Sequence, residues 1–443
     1  MMRNLKTFRA LALATLLATT ASAGSAGAVD ISLLRFFGEC NTEYGTVTDI
    51  SKANGECGII TVLTNKFNAE NKLGAKVVTQ TVEWGAYYDQ LTATYSTGNI
   101  PDVAVMHASV MPNFSGRDLL TPLSGPLKEL GIPSDDFVPA ALKNATANGE
   151  IYALPFDLHA LLFHVNMDLM KQANMVNPDG SPMLPKSADE LIAQGKKFKE
   201  ATGKTFIASE SQSAEGMMVR FFDTLMWQQG VDVVSADGKA ASIDTPEGLN
   251  AAKLISAIYS EGLANPALDY PGSEQAFLNG EAGILLNGTW GVDNYDSQAK
   301  SGKAALKSYR VANVPQLFAN QKVWADSHMW VIPKDDNRSA EKTKAAEAFL
   351  KFLYDNNYEW SRTGHLSVRQ SVLDSAAFKA LPHRNEFAAT ATNATALPQV
   401  QNQRAVYNAM ITDLNAMWLT GTEPQAALSA MQAGVERVLR RNR

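Results

Sequence analysis

The chain of 443 residues is 45% apolar and 19% charged, with a formal net charge of −6. That is more chain than one hydrophobic core accommodates, so two domains are expected. The acidic balance offers no electrostatic handle to nucleic acid or an anionic membrane surface, and neither is expected as a partner.

The first 28 residues read differently from the rest. Arg3, Lys6 and Arg9 precede a short apolar run, Leu11 to Thr20, and two small-residue patterns, Ala21-Ser22-Ala23 and Ala26-Gly27-Ala28. This is the layout of a secretory signal peptide, cleaved after Ala23 or Ala28. The run is too short to span a bilayer, and no cysteine near either site could carry a lipid. With the three basic residues removed, −6 becomes −9, and a periplasmic chain starting near Val29 is expected.

That chain opens on a strand-like run, Ile31 to Phe37. The two cysteines, Cys40 and Cys57, enclose a polar, glycine-containing loop. In an oxidising compartment they read as one disulfide, worth roughly 3 kcal/mol by loop closure. Ile59, Leu63 and Phe67 then fall at helical spacing, Lys76 to Val82 is β-branched, and Tyr88, Leu91 and Tyr95 predict a second helix. It ends at Gly98-Asn99-Ile100-Pro101, before the strand Asp102 to Met106. Strand, helix, strand, helix, strand predicts an open α/β sheet.

A second such body begins after Ile151 to Asn166, where Pro155 joins two strand-like pieces. Helices are predicted over most of Ser187 to Gly262, broken at Asp237-Gly238. Further strands read as Ala282 to Leu286, Tyr309 to Val314 and His328 to Ile332. The remainder is helical, with Ala345, Phe349 and Leu353 in one segment and Leu428, Met431, Val435 and Val438 in the last.

No Gly-x-Ser-x-Gly, Gly-x-x-x-x-Gly-Lys or His-Glu-x-x-His pattern occurs. Of the six histidines only His159 and His164 are neighbours in sequence, and their odd spacing puts them on opposite faces of a strand. They cannot share one ion, so no metal site is expected. What stands out instead is aromatic and polar residues just after predicted strands, where open α/β sheets bind ligands. Phe36, Phe37 and Glu39 follow the first strand; His107 and Ser109 follow Asp102–Met106; Asn287, Gly288, Thr289 and Trp290 follow Ala282–Leu286. Phe156, Asp157 and His159 lie beyond Pro155. Aromatic faces cover the C–H patches of a sugar, while Asp, Asn and His bond its hydroxyls.

Four segments carry a family likeness: Gly98 to Met106, Ile151 to Asn166, Phe277 to Gly283 with Asn287 to Trp290, and Gly364 to Arg369, where Ser367 replaces the usual proline. In order and spacing the chain resembles the extracellular solute-binding proteins of bacterial ABC importers, the carbohydrate-binding family that includes maltose-binding protein. The resemblance implies the type II periplasmic-binding-protein fold, two open α/β lobes joined by crossing hinge strands. Lobe one would be residues 29–155 plus 315–375 and lobe two 160–310 plus 376–443, with the hinge near 155–159 and 311–315. It implies a monomer that clamps a carbohydrate by hinge closure and hands it to membrane permease subunits, with no cofactor and no catalysis.

Carried onto this chain, the matching ligand positions are His107 to Ser109, His159, Ser211 in the Ser209–Gln212 loop, and Trp290. At the first-strand loop the family's charged pair is replaced by Phe37 to Cys40, where Phe37 and Glu39 are candidates, and Asp157 is a candidate from its place beyond Pro155. Trp84, Trp330, Asp326, His365 and Arg369 join them as further candidates, Arg369 either as a partner for an anionic group or, the favoured role, in a structural salt bridge with a nearby carboxylate. Tyr407 or Trp418 would supply the late aromatic. The competing readings are a secreted polysaccharide-acting hydrolase and a periplasmic metal-binding protein.

Overall fold

The first sheet grows from Asp30–Arg35 (β1), which pairs in parallel with Lys76–Thr81 (β2) and Val103–His107 (β3). The computed structural model describes residues 29–212, 216–398 and 400–441; the expected signal segment, 1–28, lies outside the described residues. Parallel neighbours need crossovers, and helices supply them. Gly55–Glu70 (α1) buries Ile59, Leu63 and Phe67. Trp84–Thr97 (α2) buries Tyr87, Tyr88 and Leu91 and stops at Gly98, whose φ of 73° makes a left-handed cap. The Tyr87 hydroxyl lies 3.0 Å from the Leu34 carbonyl and 2.8 Å from that of Val105, so one buried side chain ties α2 to two strands. A disulfide joins Cys40 to Cys57 and fixes the loop after β1 to the start of α1.

The chain leaves this sheet through Leu154–Pro155 (β4) and enters the second as Asp157–Asn166 (β5). Every residue of β5 except Leu158 is buried, as befits a strand covered on both faces. Around it lie Thr205–Ala208 (β6), Ala282–Gly288 (β7), Tyr309–Asn313 (β8) and Val323–Asp326 (β9). β7, β8 and β9 run antiparallel to β5, and β6 runs parallel to β7. The chain then returns to the first sheet as His328–Val331 (β10), antiparallel to β3. The helices Met217–Gln228 (α3), Gln403–Leu419 (α4) and Pro424–Arg441 (α5) pack into the second lobe, through Phe222, Leu414, Met431 and Val435 among others. No helix among the described residues is long and apolar enough to cross a membrane.

Two of these strands, β6 and β9, were absent from the expected pattern. β6 is four residues long and follows directly on a helix capped at Gly203, too short to set up an alternation. β9, Val-Trp-Ala-Asp, is buried throughout and so has no polar face to alternate.

The second hinge crossing also differs from the expected 311–315. β8 pairs along its whole length with Leu162–Asn166, and Val314 and Leu317 lie in the second core, so residues 315–326 stay in lobe two. The crossing comes later. Asp326 pairs with His159 in the second sheet and His328 with His107 in the first, leaving Ser327 between them. A third passage follows: Trp360 and Val368 belong to the first core, while Leu366 packs in the second lobe and pairs with Leu158. Val372 is also in the second lobe, so lobe one ends before the expected residue 375.

Candidate functional site

Between the lobes lies a cleft with a cavity of about 240 Å³. Lobe one contributes Phe36 and Phe37 from the end of β1, Glu56 from α1, Trp84 from α2 and His107 from β3. Lobe two contributes Arg220 from α3, with Tyr270, Trp290 and Trp324, and the crossing strands contribute His159 and His328.

The imidazoles are held by their Nδ1 edges. His107 Nδ1 lies 2.6 Å from the Tyr88 hydroxyl, which also accepts the His107 backbone N–H at 2.8 Å. His159 Nδ1 and His328 Nδ1 both face the Asp157 carboxylate, at 3.2 and 2.7 Å. That carboxylate also accepts the His328 backbone N–H at 2.9 Å and Trp360 Nε1–H at 2.7 Å. The rings of His159 and His328 stack at 4.2 Å, and Phe36 stacks on His107 at 5.1 Å.

Burial opposes the charge of Asp157, yet His328, His365 and the hydrogen bonds hold it well below the usual carboxylate range. Burial also opposes the proton of His328, and Asp157 outweighs it and raises this group. Asp157 and His328 therefore form an ion pair under the cleft. Burial, with the charge of His328 beside them, pushes His107 and His159 down, so both are neutral. Burial pushes Glu56 up to about 8.

The opposite wall is aromatic. Trp290 Nε1–H donates to the Tyr270 hydroxyl at 2.7 Å, and its ring meets His159 edge-on at 5.7 Å. Gly288 makes room for it: a Cβ there would lie 2.0 Å from the Trp290 ring. The Arg220 guanidinium sits 4.8 Å from the Trp324 ring and 5.6 Å from that of Trp84, bridging the lobes. Ser109 Oγ donates to Asp326 at 2.5 Å, and Trp324 Nε1–H donates to the Tyr407 hydroxyl at 2.6 Å.

Of the expected ligand residues, Phe37, Trp84, His107, His159 and Trp290 come together around this cavity. Ser109, Asp326 and Tyr407 line a smaller adjoining hollow, and Asp157 anchors the histidines from beneath. Others go elsewhere. Glu39 is exposed and accepts the Asn41 N–H at 2.9 Å, closing a turn. Ser211 is buried against the Tyr259 hydroxyl at 2.7 Å, and Trp418 donates to its carbonyl at 2.9 Å. Trp330 is 0% exposed, because it stands two residues deeper in the first sheet than His328 and is covered edge-on by Phe37 and Phe156. Arg369 is not available to an anion: its Nε–H donates to Asp136 at 2.7 Å and it stacks 3.6 Å over Tyr354.

His164 is turned away from His159, towards Tyr309 and Gly288, as odd spacing on one strand requires. A different set of residues converges. Asp157, His159, His328 and His365 each bring one donor atom within 4.8 Å of the others. Three separate passages of chain between the lobes deliver them, which spacing along one strand could not reveal.

Sequence reasoning missed Glu56, Arg220, Tyr270, Trp324 and His328 as cleft residues. Arg220 did carry a signal, as the only basic residue in α3, all of whose residues are buried. Tyr270 and Trp324 carried none, since an isolated aromatic is usually core.

Comparison with known proteins fits this geometry. A family model described as bacterial extracellular solute-binding protein matches residues 59–359. A binding protein of Brucella abortus (strain 2308) is 23% identical over 382 residues, 85% of this chain and 88% of the relative. The arabinooligosaccharide-binding protein of Bacillus subtilis (strain 168) is 25% identical over 348 residues, 75% of this chain and 74% of the relative. Among solved structures, the GacH receptor of Streptomyces glaucescens, determined unliganded and with acarbose, superposes with a TM-score of 0.77. It is 18% identical, covering 94% of this chain and all of that one. Two α/β lobes joined by crossing strands, a cleft between them and a match over most of the chain make this protein a member of the bacterial extracellular solute-binding family.

Proposed function

We propose that this protein captures a carbohydrate in the periplasm by closing its lobes around it, then presents it to the permease of an ABC importer. The observation that carries the reading is the cleft itself. Trp84, Trp290 and Phe37 offer flat apolar faces, while His107, His159 and Tyr270 offer hydrogen-bonding edges between them. That combination suits a guest with C–H patches ringed by hydroxyls. Relatives named for oligosaccharide binding support the same class.

Closure follows from the contacts between lobes. The Gly55 N–H of lobe one donates to Asp293 of lobe two at 2.7 Å, and Arg404 of α4 lies 4.1 Å over the Trp84 ring. Both contacts bridge the lobes, and in this reading they are made as the cleft shuts. A ligand touching both walls therefore gains its full set of contacts in the closed state alone, and its binding energy draws the hinge shut. In this reading the protein acts as a monomer and captures its guest without a cofactor.

A thermal-shift screen over mono-, di- and oligosaccharides tests it. The bound class raises Tm, by an amount that grows with the logarithm of its concentration over Kd. Small-angle scattering with that sugar at saturation gives a smaller radius, and the sugar is recovered uncut. No stabilisation by any carbohydrate class, or an unchanged radius with a bound one, would reject the proposal.

A further inference from the structure

His365 occupies an unusual position for a polar side chain. It is 0% exposed, its Nδ1 lies 2.6 Å from Thr363 Oγ1, and its Nε2 has no hydrogen-bond partner among the described residues. That nitrogen is aimed at two carboxylates, 3.4 Å from Glu56 Oε1 and 3.6 Å from Asp157 Oδ2. A buried donor or acceptor left unmade is costly, and such groups call for an explanation.

The surroundings supply one. Asp157 Oδ1 and Oδ2 lie 3.2 and 2.7 Å from the Nδ1 atoms of His159 and His328. Three imidazole nitrogens and a carboxylate oxygen thus lie within 4.8 Å of one another. A tetrahedral zinc ion with bonds of about 2.1 Å sets its ligand atoms roughly 3.4 Å apart, inside the spread observed between Asp157 and the three rings. Nitrogen and carboxylate donors in this ratio suit Zn(II) and its borderline neighbours over Mg(II) or Ca(II), which take oxygen.

An outer layer is in place as well. Thr363 orients His365 through Nδ1, and Trp360 Nε1–H and the His328 N–H fix the Asp157 carboxylate. Glu56 puts a second carboxyl group beside the cluster, and its ionised form balances the remaining charge of a dication.

We propose that Asp157, His159, His328 and His365 bind one Zn(II) ion in the floor of the cleft. The ligands come from β5, β10 and the segment before Leu366, which are the three passages of chain between the lobes. The ion therefore staples the hinge, beneath the surface a sugar would meet. Each imidazole ligates as the neutral base, so His328 gives up to solvent the proton it shares with Asp157, and metal binding releases acid. The site shares His159 and His328 with the wall of the cleft, and its metal affinity is read in the absence of sugar.

The test uses the full exported chain without a polyhistidine tag. Protein stripped with a chelator is titrated with zinc chloride by calorimetry in the absence of sugar, with magnesium chloride as the control. One equivalent of Zn(II) is expected, bound at least 100-fold more tightly than Mg(II), and Co(II) in its place gives the visible absorption of a four-coordinate ion. His365→Gln and, as a second variant, His159→Gln each weaken Zn(II) at least 100-fold with an unchanged far-UV circular dichroism spectrum. His383→Ala, outside the cluster, leaves it unchanged. Less than one equivalent in the wild type, equal affinity for Mg(II), or undiminished Zn(II) binding by both glutamine variants overturns the proposal. None of these results bears on whether the cleft binds a sugar.

Discussion

His383 in the second lobe has Glu386 against Nδ1 and Asp296 against Nε2, each at 3.1 Å, so both ring nitrogens are used. At the hinge three imidazoles crowd one carboxylate, and the Nε2 of His365 is left without a hydrogen bond among the described residues. The same residue types give opposite outcomes because the ratio of acid to base is reversed. Two carboxylates around one ring make a closed ion-pair cluster whose whole effect is stability. One carboxylate shared among three rings leaves the buried His365 Nε2 without a hydrogen bond, 3.4 Å from Glu56 and 3.6 Å from Asp157. Surplus hydrogen-bonding capacity, more than the mere presence of histidine, distinguishes a site from a strut.

The comparison breaks most readily at Asp157. Replacing it with Ala strands the His328 cation and the Trp360 N–H in a dry interior, and should cost about 3–5 kcal/mol in urea unfolding. A loss under about 1 kcal/mol would mean that the hinge cluster is not held by its carboxylate.

Trp290→Ala separates the clusters by function. Sugar affinity should fall by about 2 kcal/mol, roughly 30-fold by calorimetry, while His383→Ala leaves it unchanged. Gly288→Ala should act in the same direction, because its Cβ would displace the Trp290 ring. Equal affinities for all three variants would remove the aromatic wall from the site.

Asp293→Ala removes the acceptor for the Gly55 N–H across the cleft, and affinity should drop by about 1.5 kcal/mol with no change in the open protein's stability. A stability loss without an affinity loss would make that contact structural.

The smallest effect is the pH response of the closed cluster. Burial opposes the proton of His383, but hydrogen bonds to Asp296 and Glu386 outweigh it and hold the group at about 9. Its stabilisation is fully present below the unfolded value near 6.5 and is lost as pH rises through about 9. Asp296 and Glu386 are shifted down, so their share is lost at acid pH instead. Between about pH 6 and 9.5 the wild type should lose about 1 kcal/mol relative to His383→Gln. Parallel profiles for the two proteins would show that the pair contributes nothing.

Much of the architecture was legible beforehand. β1, α1, β2, α2 and β3 follow from apolar spacing and from the Gly98–Pro101 break, since each element buries a face that its own period declares. The cysteine pair followed from count and compartment. β6 and β9 were hidden because one is too short and the other has no solvent face. Arg369 was weighed between an external anion and a structural salt bridge, and the structure gives the salt bridge; an arginine carries no sign in sequence of which carboxylate it will meet, here Asp136.

Periodicity reports which face a residue takes on its own element, and for this chain it was enough to establish the order of strands and helices and an open-sheet architecture. It was silent about which elements become neighbours. His159, His328 and His365 stand on three different passages between the lobes, and only pairing of Asp326 with His159 and of His328 with His107 brings those passages together. Convergence of donor atoms depends on distances through space, set by strand pairing and the late position of the second crossing, and one-dimensional spacing carries no record of them.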